Sequence, residues 1–121
     1  VLLPVSAPFH CAMMAPAADV MAEALAAVDL RDPSVPVVAN VLATPIAAAA
    51  EIRARLVEQV TAMVRWRESV VWMAGAGVGE LVEAGSGKVL TGLAKRIDRS
   101  VAGRAVGTPD EIRELVASLS G

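Results

Sequence analysis

Ala (24 residues) and Val (19) supply most of the apolar side chains in this sequence, and only three residues are aromatic. A core built this way has almost no large rings to fill space, so it must be close-packed from small and β-branched side chains. Helices laid on a sheet meet that demand. The 121 residues fit one globular domain at most, and a content of 55% hydrophobic and 20% charged residues excludes disorder.

The charge balance and the rarer residues exclude several function classes. A net charge of −2 gives no general attraction to nucleic acid or to anionic lipid, and neither is expected as a partner. The charge is uneven, because residues 85–107 carry Lys88, Lys95, Arg96, Arg99 and Arg104 against Asp98 alone. An acidic partner could sit there, and a solvated helix face explains the run without one. Val1–Ala18 and Pro33–Ala50 lack Asp, Glu, Lys and Arg, but each contains three prolines, which speaks against a membrane-spanning helix. No basic start region of a signal peptide is present, and a first residue Val1 already inside an apolar run reads as a piece of something longer. Cys11 has no second cysteine to pair with, and one His with one Cys leaves no cluster for a structural zinc. No metal is expected, and a reducing compartment, the cytoplasm, is the default location.

Along the chain, Pro4 and Pro8 keep the first eight residues extended. Met14, Ala18, Met21, Leu25 and Val28 recur at helical spacing, which predicts an amphipathic helix beginning just after His10. Val35–Val41 reads as a short strand, Ala48–Met63 as a helix, and Trp66–Ala76 as a third helix stopped by Gly75, Gly77 and Gly79. Glu80–Ala84 reads as a strand, and Gly85-Ser86-Gly87 turns into a helix with Val89, Leu90, Leu93, Ala94 and Ile97 on one face. Val101–Val106 is the next strand. The clearest signal is the last helix, where Thr108 can cap, Pro109 suits the first helical position and Glu111 completes a capping box. This order indicates an α/β layer structure.

Few residues can carry chemistry. His10 alone titrates near neutrality when unperturbed, and it stands where a proline-stiffened segment hands over to a helix. Taken by itself it is either a hydrogen-bonded core histidine or an acid–base group. Cys11 points away from it and reads as packing. Gly85-Ser86-Gly87-Lys88 fails as a P-loop, because Val82 and Val89 stand where Gly and Ser or Thr are needed. It also fails as a nucleophile elbow, because Ala84 and Lys88 replace the two glycines. What is left is a glycine turn at a helix N-terminus, either an anion or nucleotide site or only structural. Ser6 lies in no strained strand-to-helix turn and does not qualify as a nucleophile.

Val5-Ser6-Ala7-Pro8-Phe9-His10-Cys11-Ala12-Met13-Met14 followed by Pro16-Ala17-Ala18 resembles the histidine motif of malonyl-CoA:acyl carrier protein transacylases. Further matches follow in the family's order: Val35-Pro36-Val37-Val38-Ala39-Asn40-Val41, Leu56-Val57-Glu58-Gln59-Val60 with Val64-Arg65-Trp66, and Glu83-Ala84-Gly85-Ser86-Gly87-Lys88-Val89-Leu90-Thr91-Gly92-Leu93 with Lys95-Arg96-Ile97. Ser86 departs from the family's usual Gly-Pro-Gly.

The resemblance covers the C-terminal portion of the family. It implies an α/β fold, a partial α/β-hydrolase-like large subdomain with helices packed on a small, mostly parallel sheet. Residues 1–8 would return from the missing small subdomain, and residues 9–121 would belong to the large one. The implied activity is malonyl transfer from coenzyme A to acyl carrier protein in fatty acid synthesis, through an acyl-serine intermediate. Malonyl-CoA and acyl carrier protein are the implied partners, with the coenzyme A thioester as substrate and no bound cofactor. His10 would be the shared base and Gln59 the residue whose main-chain carbonyl holds it. Phe9 would restrict the acyl group to malonyl, or merely pack. Lys88, Lys95 and Arg96 would dock the acidic carrier. The serine elbow, the oxyanion glutamine and the malonyl-binding arginine fall outside the match, so the chain alone is expected to be inactive, with an uncovered sheet edge and apolar helix face. Two other readings stay open: a non-catalytic carrier-binding module, and an acyltransferase domain of a polyketide synthase.

Overall fold

A computed structural model of the chain describes residues 9–120. The expected return segment 1–8, with Pro4, Ser6 and Pro8, lies outside the described residues. The chain forms two compact units, one up to Ser69 and one from Val70.

In the first unit a 3-10 turn, Ala12–Met14, leads into α1, Ala15–Ala26, with Pro16 in its first turn. Proline is tolerated there because the first N–H groups of a helix have no intrahelical partner. Met14, Ala18 and Leu25 of the expected stripe are half-buried, while Met21 and Val28 are exposed. The strand expected at 35–41 is shorter, β1, Val37–Ala39, and it pairs antiparallel with β2, Thr44–Ile46, which the sequence pattern does not reveal. Two features hide β2. Pro45 sits in its centre opposite Val38, tolerated because a two-stranded ladder consists of edge strands. The turn between them uses Ala43, φ +56°, where glycine or asparagine is the usual signal. The Ala43 N–H donates to the Ala39 carbonyl at 2.7 Å, and the residue is buried.

Next comes α2, Ala49–Gln59. Its start is capped from a distance, the Asp32 carboxylate accepting the Ala49 N–H at 2.6 Å. It ends four residues before the expected Met63. The final turn tightens, with Val60 and Thr61 N–H groups donating three residues back to Val57 and Glu58. The Gln59 side-chain amide then folds onto the Ala62 and Met63 carbonyls. Ile52 is buried, but Leu56 and Met63 remain exposed. The turn after β1 is tied to the start of α3, Trp66–Gly75: the Arg65 N–H donates to Asn40 O, and its guanidinium donates to Leu42 O and pairs with Glu68.

The second unit is a strand–helix–strand–helix arrangement. β3, Glu80–Ala84, and β4, Ala102–Val106, are parallel and in register from Glu80↔Ala102 to Ala84↔Val106. They are joined by α4, Val89–Ile97, and followed by α5, Pro109–Ser120. The expected small sheet is therefore two separate ladders, one parallel and one antiparallel, within an α/β class that holds. The Thr108 half of the expected capping box forms, the Glu111 N–H donating to Thr108 Oγ1, while the Glu111 carboxylate reaches one residue further back and accepts the Gly107 N–H, each at 3.2 Å. Gly85 and Gly87 take φ +133° and +85°, conformations that side-chain-bearing residues rarely adopt.

The apolar face predicted for α4 is buried only in part, at Ala94 and, half-buried, at Ile97, whereas Val89, Leu90 and Leu93 are exposed. The reason is close approach: a Cβ on Gly103 of β4 would lie 2.8 Å from Thr91 Cγ2, so small residues face the sheet and the larger ones point out. Exposed apolar residues also run along α5 at Ile112, Val116 and Leu119. Among the described residues no helix is long and apolar enough to cross a membrane.

Candidate active site

His10 is exposed and has φ +58°, the left-handed region that few non-glycine residues occupy. Such backbone strain gathers where surrounding structure fixes a side chain for a purpose. Cys11 returns to an extended conformation, φ −144° and ψ 172°, before the 3-10 turn begins. The reversal sends the imidazole toward the far end of α2, where Nδ1 lies 2.8 Å from the main-chain oxygen of Gln59.

That contact settles the ring's chemistry. A carbonyl oxygen only accepts, so Nδ1 must carry the hydrogen, and in the neutral ring Nε2 is left with its lone pair. Gln59 is the last residue of α2, so its carbonyl is one of the four that a helix end leaves without an intrahelical partner. The partial negative charge at a helix C-terminus also favours a cation there, so the acceptor is better for imidazolium than an isolated amide. The Gln59 side chain takes no part, being turned onto Ala62 and Met63. It borders an open, mainly apolar pocket of about 160 Å³ that Val38, Asn40, Ile46, Ile52 and Leu56 also line.

Phe9, beside the histidine, is 58% exposed. Lys88, Lys95 and Arg96 are exposed on α4 in the second unit, Lys88 at its N-cap and the other two in its last turn, where they complement the helix dipole. The structure thus joins His10 to Gln59 and sets the three cations on one helix.

The glycine turn before α4 is not an open anion site. The Glu83 carboxylate already accepts the Thr91 N–H at 2.9 Å, the Thr91 hydroxyl at 2.8 Å and the Leu90 N–H at 3.2 Å. A resident carboxylate takes the Leu90 and Thr91 N–H groups in the first turn of α4 and places negative charge there, which counts against the anion- or nucleotide-binding reading of Gly85–Lys88. The bonds from Thr91, ahead of that from Leu90, hold the Glu83 carboxyl below the usual carboxylate range. Its contribution to stability is therefore present above the unfolded value of about 4.3 and is lost as pH falls through the lower folded value. Thermal melts are expected to show Glu83→Gln less stable than wild type near neutrality, with the gap closing as the buffer is acidified toward the carboxylate range.

Sequence reasoning does not find Glu83 as a helix cap, nor Asp32 as a tie between distant segments, nor Arg53, whose guanidinium donates to the Leu25 and Val28 carbonyls. The only local hint is a carboxylate two residues before a glycine turn.

The chain is 49% identical over 107 residues to a malonyl CoA-acyl carrier protein transacylase of Salmonella typhimurium, covering 88% of this chain. It also superimposes on the crystal structure of an acyl-carrier-protein-S-malonyltransferase from Bartonella henselae with a TM-score of 0.88, at 50% identity over the whole chain. The chain belongs to the malonyl-CoA:acyl carrier protein transacylase family. A third transacylase, solved in complex with a type II PKS acyl-carrier protein, aligns with 95% of the chain at 44% identity and a TM-score of 0.81. The chain spans 35% of the Salmonella transacylase and 38% of each of the two solved transacylase chains. No protein-family model matches the chain.

Proposed function

We propose that this chain is the histidine-bearing part of an enzyme that moves a malonyl group from coenzyme A to the phosphopantetheine thiol of acyl carrier protein. The observation that carries this reading is the 2.8 Å bond from His10 Nδ1 to the Gln59 carbonyl, which leaves Nε2 as a base. In the intact enzyme a serine outside this chain attacks the thioester carbonyl while its hydroxyl proton passes to His10 Nε2. The carbon–sulfur bond breaks, and the coenzyme A thiolate takes that proton. The carrier thiol then gives its proton to Nε2 and attacks the acyl-serine. As the carbon–oxygen bond breaks, the serine oxygen recovers the proton.

A thioester is an easier acyl donor than an amide, which makes a neutral carbonyl sufficient where a serine protease uses a carboxylate. Within this reading Phe9 leaves little space beside the acyl α-carbon and so favours malonyl. Lys88, Lys95 and Arg96 offer positive charge to an acidic carrier. The coenzyme A thioester is the substrate and not a resident cofactor, and the cytoplasm, where malonyl-CoA and carrier meet, is the place of action. The solved relative with a PKS carrier favours a second substrate within the same chemistry, a polyketide carrier protein.

Transfer of labelled malonyl from malonyl-CoA to carrier protein tests the reading. A chimera joining this chain to the preceding portion of the Salmonella relative is expected to transfer label, and the chain alone to transfer none. A folded chimera without transfer, beside an active parent relative, or transfer by the chain alone, would count against it.

A further inference from the structure

Helix α1 contains no fully buried residue, so apolar packing fixes its orientation only weakly. Its polar ties to α2 stand at its two ends. Just before its start is the His10–Gln59 bond. At its finish is the half-buried Arg53, whose Nε donates to the Leu25 carbonyl at 3.0 Å and whose Nη2 donates to the Val28 carbonyl at 3.1 Å. The helix engages these two oxygens only through short-range turn bonds, from Val28 N–H to Leu25 and from Leu30 N–H to Val28, leaving lone pairs for an outside donor. The guanidinium also brings its charge to the negative end of α1's dipole.

We propose that Arg53 is a positioning residue for the His10–Gln59 couple, gripping the C-terminal end of α1 so that the imidazole at the other end stays within reach of the Gln59 carbonyl. This rests on the reading of His10 as an acid–base group. Arg53 and Gln59 lie on one helix, six residues or about 9 Å apart, so a single rigid element holds both ends of α1. Leverage makes the far grip matter. α1 has 12 residues, about 18 Å, and a tilt of about 5° moves one end by about 1.5 Å, enough to break a hydrogen bond. Arginine suits the task because its planar fork reaches two carbonyls at once, which a lysine ammonium on its flexible stem does not reproduce.

The test reads the tautomer of His10, the chain's single histidine, by side-chain ¹⁵N NMR at a pH where the ring is neutral. Wild type is expected to show the Nδ1–H form in excess. Arg53→Met keeps an aliphatic stem but removes the donors. It is expected to lower the ratio of Nδ1–H to Nε2–H about tenfold while circular dichroism remains native, with Arg53→Lys falling between the two. A folded Arg53→Met with the wild-type ratio overturns the proposal. If that variant does not fold, a folded Arg53→Lys with the wild-type ratio overturns it. A wild-type chain in the Nε2–H form would instead bring down the His10–Gln59 reading itself.

Discussion

His10→Ala, introduced into an intact transacylase carrying this segment, is expected to lower kcat/KM for malonyl transfer by about 10²- to 10⁴-fold with no change in fold. The size follows from the number of steps the ring serves. The same nitrogen takes the serine proton, protonates departing coenzyme A and deprotonates the carrier thiol, so both half-reactions slow. No change in folding is expected because the side chain is exposed and, among the described residues, its bond is the one to the Gln59 carbonyl, made from a strained backbone. Gln59→Ala is expected to be mild by comparison, because alanine keeps the carbonyl and only the bonds to Ala62 and Met63 are lost. Full activity in the His10→Ala enzyme would favour a non-catalytic carrier-binding module, whose function would rest on Lys88, Lys95 and Arg96.

Gly107→Ala is expected to destabilise the chain by about 1–3 kcal/mol. A Cβ at this position would lie 2.6 Å from the Gly85 carbonyl oxygen, and neither partner has a flexible side chain that can swing aside. The two backbones are held together just here. The Gly85 N–H donates to the Val106 carbonyl at 3.0 Å, next to the last registered pair of the parallel ladder, Ala84↔Val106. Relief would require opening the ladder or tilting the turn into α4. Gly92→Ala is the contrasting case. It sits inside α4 with nothing within 4 Å of the added methyl, so it is expected to stabilise by about 0.5–1 kcal/mol through helix propensity. Urea unfolding of the two variants measures both signs, and equal stability of Gly107→Ala and wild type would show that the close approach relaxes freely.

The elements that the sequence reveals are those with signals inside a few residues. Thr108, Pro109 and Glu111 mark the start of α5 because capping is a local exchange of hydrogen bonds. Gly85 and Gly87 mark the turn before α4 because positive φ angles select glycine. β2 escapes because three residues with a central proline carry no alternation, and Ala43 occupies a turn position without the usual residue. The exposure of Val89, Leu90 and Leu93 is missed because helical spacing identifies an apolar stripe and cannot say that Gly103 draws the Thr91 and Ala94 side of α4 inward.

The candidate site divides along the same line. His10 stands out as the only histidine, and its motif with the colinear matches points to the family. A main-chain carbonyl leaves no mark in composition or spacing, since every residue has one, so Gln59 is legible only through resemblance to relatives.

By itself the sequence determined the α/β class, the start of the last helix, the glycine turn and the one side chain able to exchange protons near neutrality, because each depends on the residue and its near neighbours. Tertiary structure alone decided that the imidazole meets a helix-end oxygen 49 positions away, that Glu83 occupies the start of α4, and that Arg53 grips the end of α1. Those contacts arise from how helices and strands lie against one another, and chain spacing does not encode that distance.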